Sequence, residues 1–153
     1  MSKVIMYCDG ACRGNPGEGG WGVVLQYVQG AGSADERMHE KELMGYAVET
    51  TNNQMELTAA IEGLAALKQR CEVAVYTDSK YVIQGVTEWI HGWMKKNWKT
   101  ASGSPVKNKE LWVQLWERTQ DHDVSWHWVK GHSGHPGNER ADGLANQAID
   151  AQH

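Results

Sequence analysis

From residue 50 onward the hydrophobic pattern of this 153-residue chain alternates between two periods, and that alternation narrows the choice of fold more than any other feature. Residues 50–68 repeat at helical spacing, with Met55, Ile61, Leu64, Ala65 and Leu67 on or near one face. Residues 72–77 (Glu-Val-Ala-Val-Tyr-Thr) form a strand, 79–93 and 108–121 are helical, 124–129 is a strand and 138–149 a last helix. Strands separated by helices need crossovers and tend to lie parallel. Before residue 50 the pattern is of strands: 4–8 closing on an Asp9-Gly10 turn, 21–28 and 43–49. The turn-rich stretch 13–20 and the polar stretch 29–42 connect them. The predicted order is βββ-α-β-αα-β-α. It implies an α/β fold with a five-stranded mixed sheet whose first three strands form an antiparallel meander, covered by helices on its faces.

No apolar run approaches the roughly 18 residues of a membrane span, and Met1-Ser-Lys leads into a stretch too short and too soon polar for a signal peptide. Cys8, Cys12 and Cys71 are an odd number, which points to a reducing cytosol. Cys8 and Cys12 have no companion Cys or His pair downstream, against a structural zinc site. The net charge of −4 by itself argues against bulk attraction to nucleic acid. Its distribution argues otherwise. Residues 89–109 hold Lys95, Lys96, Lys99, Lys107 and Lys109 with no acid, a local charge of +5 on a remainder of −9.

Two of the strands deliver an aspartate at their carboxyl ends, in Tyr7-Cys8-Asp9-Gly10 and Tyr76-Thr77-Asp78-Ser79. If the strands are parallel neighbours their backbones lie about 4.8 Å apart, in the crevice where open α/β sheets bind ligands. Two such carboxylates repel unless a cation neutralises them, and an all-oxygen site suits Mg²⁺ or Mn²⁺. Singly, Asp9 also reads as a turn former and Asp78 as a helix N-cap. Glu56 reads equally as an inward ligand or as part of an Asn53-x-x-Glu56 capping box, beside a second candidate box, Thr51-x-x-Gln54. Asp142 reads as an acid favouring the dipole of a first helical turn. His132 and His135 lie in a flexible loop, where imidazoles can move protons or be inert. Among the tryptophans, Trp112 and Trp116 have core spacing, and Trp126 and Trp128 share one strand face, again structural. Trp93 and Trp98, among lysines, are placed near nucleic acid.

Taken together, Asp9-Gly-Ala-Cys-Arg-Gly-Asn-Pro-Gly17, Thr50-Thr-Asn-Asn-Gln-Met-Glu-Leu57, Thr77-Asp-Ser-Lys-Tyr-Val82, Trp89-Ile-His-Gly-Trp93, Lys107-Asn108, Trp128-Val-Lys-Gly-His-Ser-Gly-His-Pro136 and Asn138-Glu-Arg-Ala-Asp142 resemble the bacterial type 1 ribonuclease H family. The resemblance runs nearly the whole chain. It implies the ribonuclease H-like fold, with the last two strands parallel to strand 1, and residues 1–153 as a single domain with a basic protrusion at about 89–109. It implies a monomeric, cytoplasmic endonuclease that cuts the RNA strand of RNA–DNA hybrids by a two-metal-ion mechanism, leaving 5′-phosphate and 3′-hydroxyl ends. The positions matching the family's metal carboxylates are Asp9, Glu56, Asp78 and Asp142, with Asp9 shared between two Mg²⁺ ions, Glu56 and Asp78 completing one site and Asp142 the other. His132 matches a residue that shuttles a proton or helps product leave.

By the same correspondence Cys12, Asn15, Asn52 and Asn53 meet the RNA strand in the minor groove, where 2′-hydroxyls distinguish RNA from DNA. Thr51 grips a DNA phosphate, and Trp93, Lys95, Lys96, Trp98, Lys99 and Lys107 of the protrusion track the DNA strand. Three positions depart from the family pattern. Gly92 stands where an asparagine often helps hold the DNA phosphate, Lys80 where glutamine is common beside the RNA, and Met94 where a basic residue is usual. Two rival readings are a DNA-cutting nuclease of the same fold, resolvase- or integrase-like, and a non-catalytic hybrid-binding module. Retention of all four acids argues against the second.

Overall fold

In the computed structural model, residues 2–30 and 32–153 are described. The first three strands outrun their apolar stretches. β1 (Ser2–Arg13) passes straight through Asp9 and Gly10 instead of turning there, because β2 (Gly17–Gln29) pairs antiparallel with it from Lys3↔Val28 to Arg13↔Glu18. β3 (Arg37–Thr50) in turn pairs antiparallel with β2 as far as Gln29↔Arg37. Half of the polar stretch 29–42 is therefore strand. It reads as a connection because β3 is the sheet edge and is exposed along most of its length, so neither face demands apolar residues.

Helix α1 (Asn52–Ala65) starts at the Thr51 cap, whose side chain accepts from the Gln54 amide. Neither candidate box closes, because the Gln54 side chain turns to the Thr50 hydroxyl and Asn108 instead, and Asn53 is not the cap. Strand β4 (Cys71–Thr77) follows. The single helix expected over 79–93 is three pieces: α2 (Lys80–Gln84), a π-helical turn (Gly85–Trp89) and α3 (Ile90–Lys95). The helix widens where Gly85 lets the backbone down onto the Trp112 ring, leaving no room for a Cβ. Helix α4 (Lys109–Gln120), strand β5 (Asp123–Trp128) and helix α5 (Pro136–Asp150) complete the chain.

The five strands lie in the order β3-β2-β1-β4-β5, with β4 parallel to β1 and β5 parallel to β4. The mixed sheet and its strand directions are those expected. On one face Val4, Met6, Cys8, Val73 and Val75 bury against Leu57 and Leu64 of α1 and Trp112 and Leu115 of α4, all within 1% of full burial. Trp116 and Trp126 pack on the edge of this core. On the other face α5 lies on β1–β3. It sits so low on Gly20 and Gly22 that a Cβ at either would collide with its backbone, and this close approach sets the height of Asp142. Among the described residues no helix is long and apolar enough to cross a membrane.

Candidate active site

β1 and β4 pair only as far as Tyr7↔Tyr76, and two residues beyond each partner come Asp9 and Asp78. There the two chains part: β1 continues beside β2, while the chain after β4 leaves for α2. Strand alternation puts Asp9 on the α5 side of the sheet with Tyr7, and Asp78 follows directly on the last residue of β4. Glu56 arrives from the opposite side on the fifth residue of α1. Gly10 makes this possible, because a Cβ there would lie 2.5 Å from the Glu56 nitrogen and the Met55 carbonyl carbon. The bare backbone lets α1 touch the strand, and the Gly10 amide donates to Glu56 Oε1 at 2.7 Å and to Asp9 Oδ1 at 2.9 Å.

Asp9, Glu56 and Asp78 thus bring one oxygen each within 4.8 Å of the others, the first two buried and the third half-buried. Asp142 stands apart from this trio but lines the same cleft of about 370 Å³, with Asn52, Asn53, Lys80, Tyr81 and His132. Its carboxylate and backbone carbonyl both accept from Asn146 Nδ2, at 3.4 and 3.0 Å. The structure removes the alternative readings of these acids. Asp9 is inside a strand, Ser79 rather than Asp78 caps α2 by accepting from the Val82 amide, and Asp142 is the seventh residue of α5, past its first turn.

Burial leaves Asp9, Glu56 and Asp78 poorly compensated. Burial, then the hydrogen bond and charge of Glu56, push the Asp9 carboxyl up to about 11. Burial pushes Glu56 up to about 7 against the opposing pull of its hydrogen bond with Asp9. Asp78 is raised by burial, while its hydrogen bond with Asp9 and the charge of His132 pull it down. Glu56 Oε2 is buried with no hydrogen-bond partner. An orphaned buried carboxylate oxygen is costly in the bare protein, and three converging carboxylates are the donor set a hard divalent cation takes. The residues fit Mg²⁺ or Mn²⁺.

His132 sits on the β5–α5 loop, exposed and with a left-handed backbone (φ 56°), next to Gly131, where a Cβ would lie 2.5 Å from Asp78 Oδ2. His135 has a different place: its Nδ1 accepts from the Asn138 amide and caps α5.

The residues expected to meet substrate divide into three groups. Asn52 and Asn53 are exposed along the cleft, and Asn15 Oδ1 holds the Asn52 amide at 2.9 Å. Cys12 and Thr51 are turned to internal partners: the Cys12 thiol donates to the Thr50 carbonyl at 3.4 Å, and the Thr51 hydroxyl is the α1 cap. In the basic segment Lys95, Lys96, Lys99, Lys107 and Lys109 are all exposed. Trp93 and Trp98 are half-buried against the core, Trp93 with its ring 5.3 Å from that of Trp112.

Trp128 corrects its purely structural reading. It is 48% exposed, its Nε1 donates to the Asp78 carbonyl at 3.1 Å, and the Lys80 ammonium lies 4.7 Å over its ring. The sequence signal for it is its register, since Trp128 pairs with Thr77, the residue before Asp78. In the sequence Tyr81, Gln54 and Asn108 stand only within motifs or a candidate cap, which give them no role at the cleft. Gln54 Nε2 donates to Asn108 Oδ1 and Asn108 Nδ2 to the Tyr81 hydroxyl, both at 3.1 Å, joining α1, the end of the basic segment and α2 beside the cleft.

The RNase H family profile matches residues 1–150. A ribonuclease H of Chromohalobacter salexigens is 59% identical over 150 residues, covering 98% of this chain and 86% of that protein. One of Erythrobacter litoralis is 57% identical over 152 residues, covering 99% of both. Among solved structures, LC9-RNase H1, described as a type 1 RNase H with the type 2 active-site motif, aligns with a TM-score of 0.88 at 36% identity, over 99% of this chain and 74% of its own. LC11-RNase H1, solved in complex with an RNA/DNA hybrid, aligns with a TM-score of 0.66 at 29% identity, over 97% of this chain and 98% of its own.

Proposed function

This chain belongs to the RNase H family, and from that membership we propose that it is a Mg²⁺-dependent endonuclease hydrolysing the RNA strand of RNA–DNA hybrids to 5′-phosphate and 3′-hydroxyl products. The observation that carries the reading is the convergence of Asp9, Glu56 and Asp78 within 4.8 Å of one another, in a cleft that Asp142 also lines. Acids from β1, α1, the turn after β4 and α5, far apart in sequence, have no shared structural task there.

Asp9, Glu56, Asp78 and Asp142 would hold the ions, with Asp9 central because its charge feels all three others. A bound pair of divalent ions supplies an activated water and stabilisation of the departing 3′-oxygen. The chain's own work is positional. The Gly10 amide fixes one oxygen each of Asp9 and Glu56. Asn146 steadies Asp142 from one helical turn away. His132, at the open side of the cleft, would carry a proton or ease product out. Asn52 and Asn53, with Asn15 bracing the Asn52 backbone, would read the RNA strand through its 2′-hydroxyls. Cys12 would lie under that strand, and Thr51 would offer its exposed edge to a DNA phosphate.

Residues 1–153 would act as one domain, a cytosolic monomer, with the lysines of 89–109 following the DNA strand. The test compares labelled RNA–DNA hybrid, duplex RNA and duplex DNA as substrates. Cleavage confined to the RNA of the hybrid supports the reading; cutting of duplex DNA favours the resolvase-like alternative, and binding without cleavage favours a hybrid-binding module.

A further inference from the structure

Lys80 has a choice of partners that it does not take. It lines the cleft with Asp9, Glu56, Asp78 and Asp142, yet among the described residues it forms no ion pair with any of them. Its ammonium lies instead 4.7 Å over the Trp128 ring. That ring is itself fixed. Trp128 closes the β4–β5 ladder opposite Thr77, and its Nε1 donates to the Asp78 carbonyl at 3.1 Å. A half-exposed indole at the end of a strand gains little by burial, but it presents a π face on which a cation can rest without being neutralised.

We propose that Trp128 is a positioning residue that carries Lys80 as a phosphate contact for the RNA strand at the rim of the acidic cleft. An ammonium is a compact point charge suited to a phosphate oxygen approached from varied directions. Resting on the indole, it stays off the carboxylates, so it neither competes with their cation nor loses its own charge to them. The same aspartate that serves the metal site through its side chain holds the platform through its backbone carbonyl, which ties the position of the phosphate contact to the position of the carboxylates. The proposal rests on the hybrid-cleaving reading above.

The test is a double-mutant cycle read in kcat/KM and in its salt dependence on an RNA–DNA hybrid, with Lys80→Gln, Trp128→Leu, Trp128→Phe and the Lys80→Gln/Trp128→Leu pair. Lys80→Gln is expected to lower kcat/KM about tenfold, the scale of one charge-assisted hydrogen bond, and to flatten the slope of log kcat/KM against log salt by about 0.7–0.9. Trp128→Leu is expected to do the same, Trp128→Phe to restore most of the loss, and the double variant to be no worse than Lys80→Gln alone. Multiplicative losses in the double variant, or a Trp128→Leu loss with an unchanged salt slope, overturn the proposal. A wild-type protein that leaves the hybrid intact overturns the family reading instead.

Discussion

Asp9 and Glu56 meet at a single hydrogen-bond donor, the Gly10 amide, 2.9 Å from one carboxylate and 2.7 Å from the other. One N–H cannot compensate two buried charges, so without a cation the pair keeps a proton that neither residue would hold in water.

The sign of the resulting pH dependence is opposite to that of a salt-bridged acid. The folded-state values, about 11 for Asp9 and about 7 for Glu56, lie above those of free carboxyls. The folded protein therefore binds protons that the unfolded chain releases above about pH 4. Stability is complete below that and is lost as pH rises toward the folded values. In chelator, Tm falls between pH 5 and 8, at up to about 1.4 kcal/mol per pH unit for one such group. Mg²⁺ at saturation counters the fall, and Asp9→Asn both flattens it and raises Tm at pH 8. A Tm that climbs over this interval in chelator contradicts the account.

Gly10→Ala tests the approach of α1 to β1. The new Cβ would be 2.5 Å from main-chain atoms of Met55 and Glu56, which cannot swing aside. The expected loss is about 1–3 kcal/mol in urea denaturation, as for an overpacked core, together with a weaker Mg²⁺-induced rise in Tm because Glu56 moves with its helix.

How much of this was legible beforehand depended on which interactions are local. Asp9 and Asp78 stand out because each closes an apolar strand, a pattern written in neighbouring residues. Glu56 and Asp142 do not, since an acid early in a helix fits a cap or the dipole as well as a site. What decides between them is the depth at which α1 and α5 seat on Gly10, Gly20 and Gly22, a tertiary fact. The first half of β3, residues 37–42, is hidden for a related reason: exposed along its length, it has no need of alternation. Trp128 reads as core because alternation gives a side chain's face and not what covers that face. Its exposure follows from its place at the very end of the edge strand β5.

His135→Ala tests the imidazole cap of α5. Losing the Nδ1 acceptor of the Asn138 amide costs about 1 kcal/mol, read as a lower urea midpoint at unchanged m-value, and His135→Asn recovers most of it.

The exposed lysines of the basic segment are expected to act through phosphates. Lys95→Ala/Lys96→Ala flattens the salt dependence of hybrid binding by about 0.7–0.9 per lysine that contacts a phosphate, with the cleavage rate of the bound complex unchanged. A fall in single-turnover rate at saturating enzyme would place these lysines in the chemical step.

The central claim is that the cluster around Asp9 holds divalent ions for phosphodiester hydrolysis, and the most direct measurement is a gel of end-labelled RNA–DNA hybrid titrated with Mg²⁺ and then chelator, for wild type and Asp9→Asn. The account predicts Mg²⁺-dependent fragments of the RNA strand from wild type, lost on chelation, and none from Asp9→Asn although the variant still shifts the hybrid in a binding gel. Mg²⁺-dependent turnover by Asp9→Asn at the wild-type rate, or wild-type cleavage that persists in chelator, would contradict it.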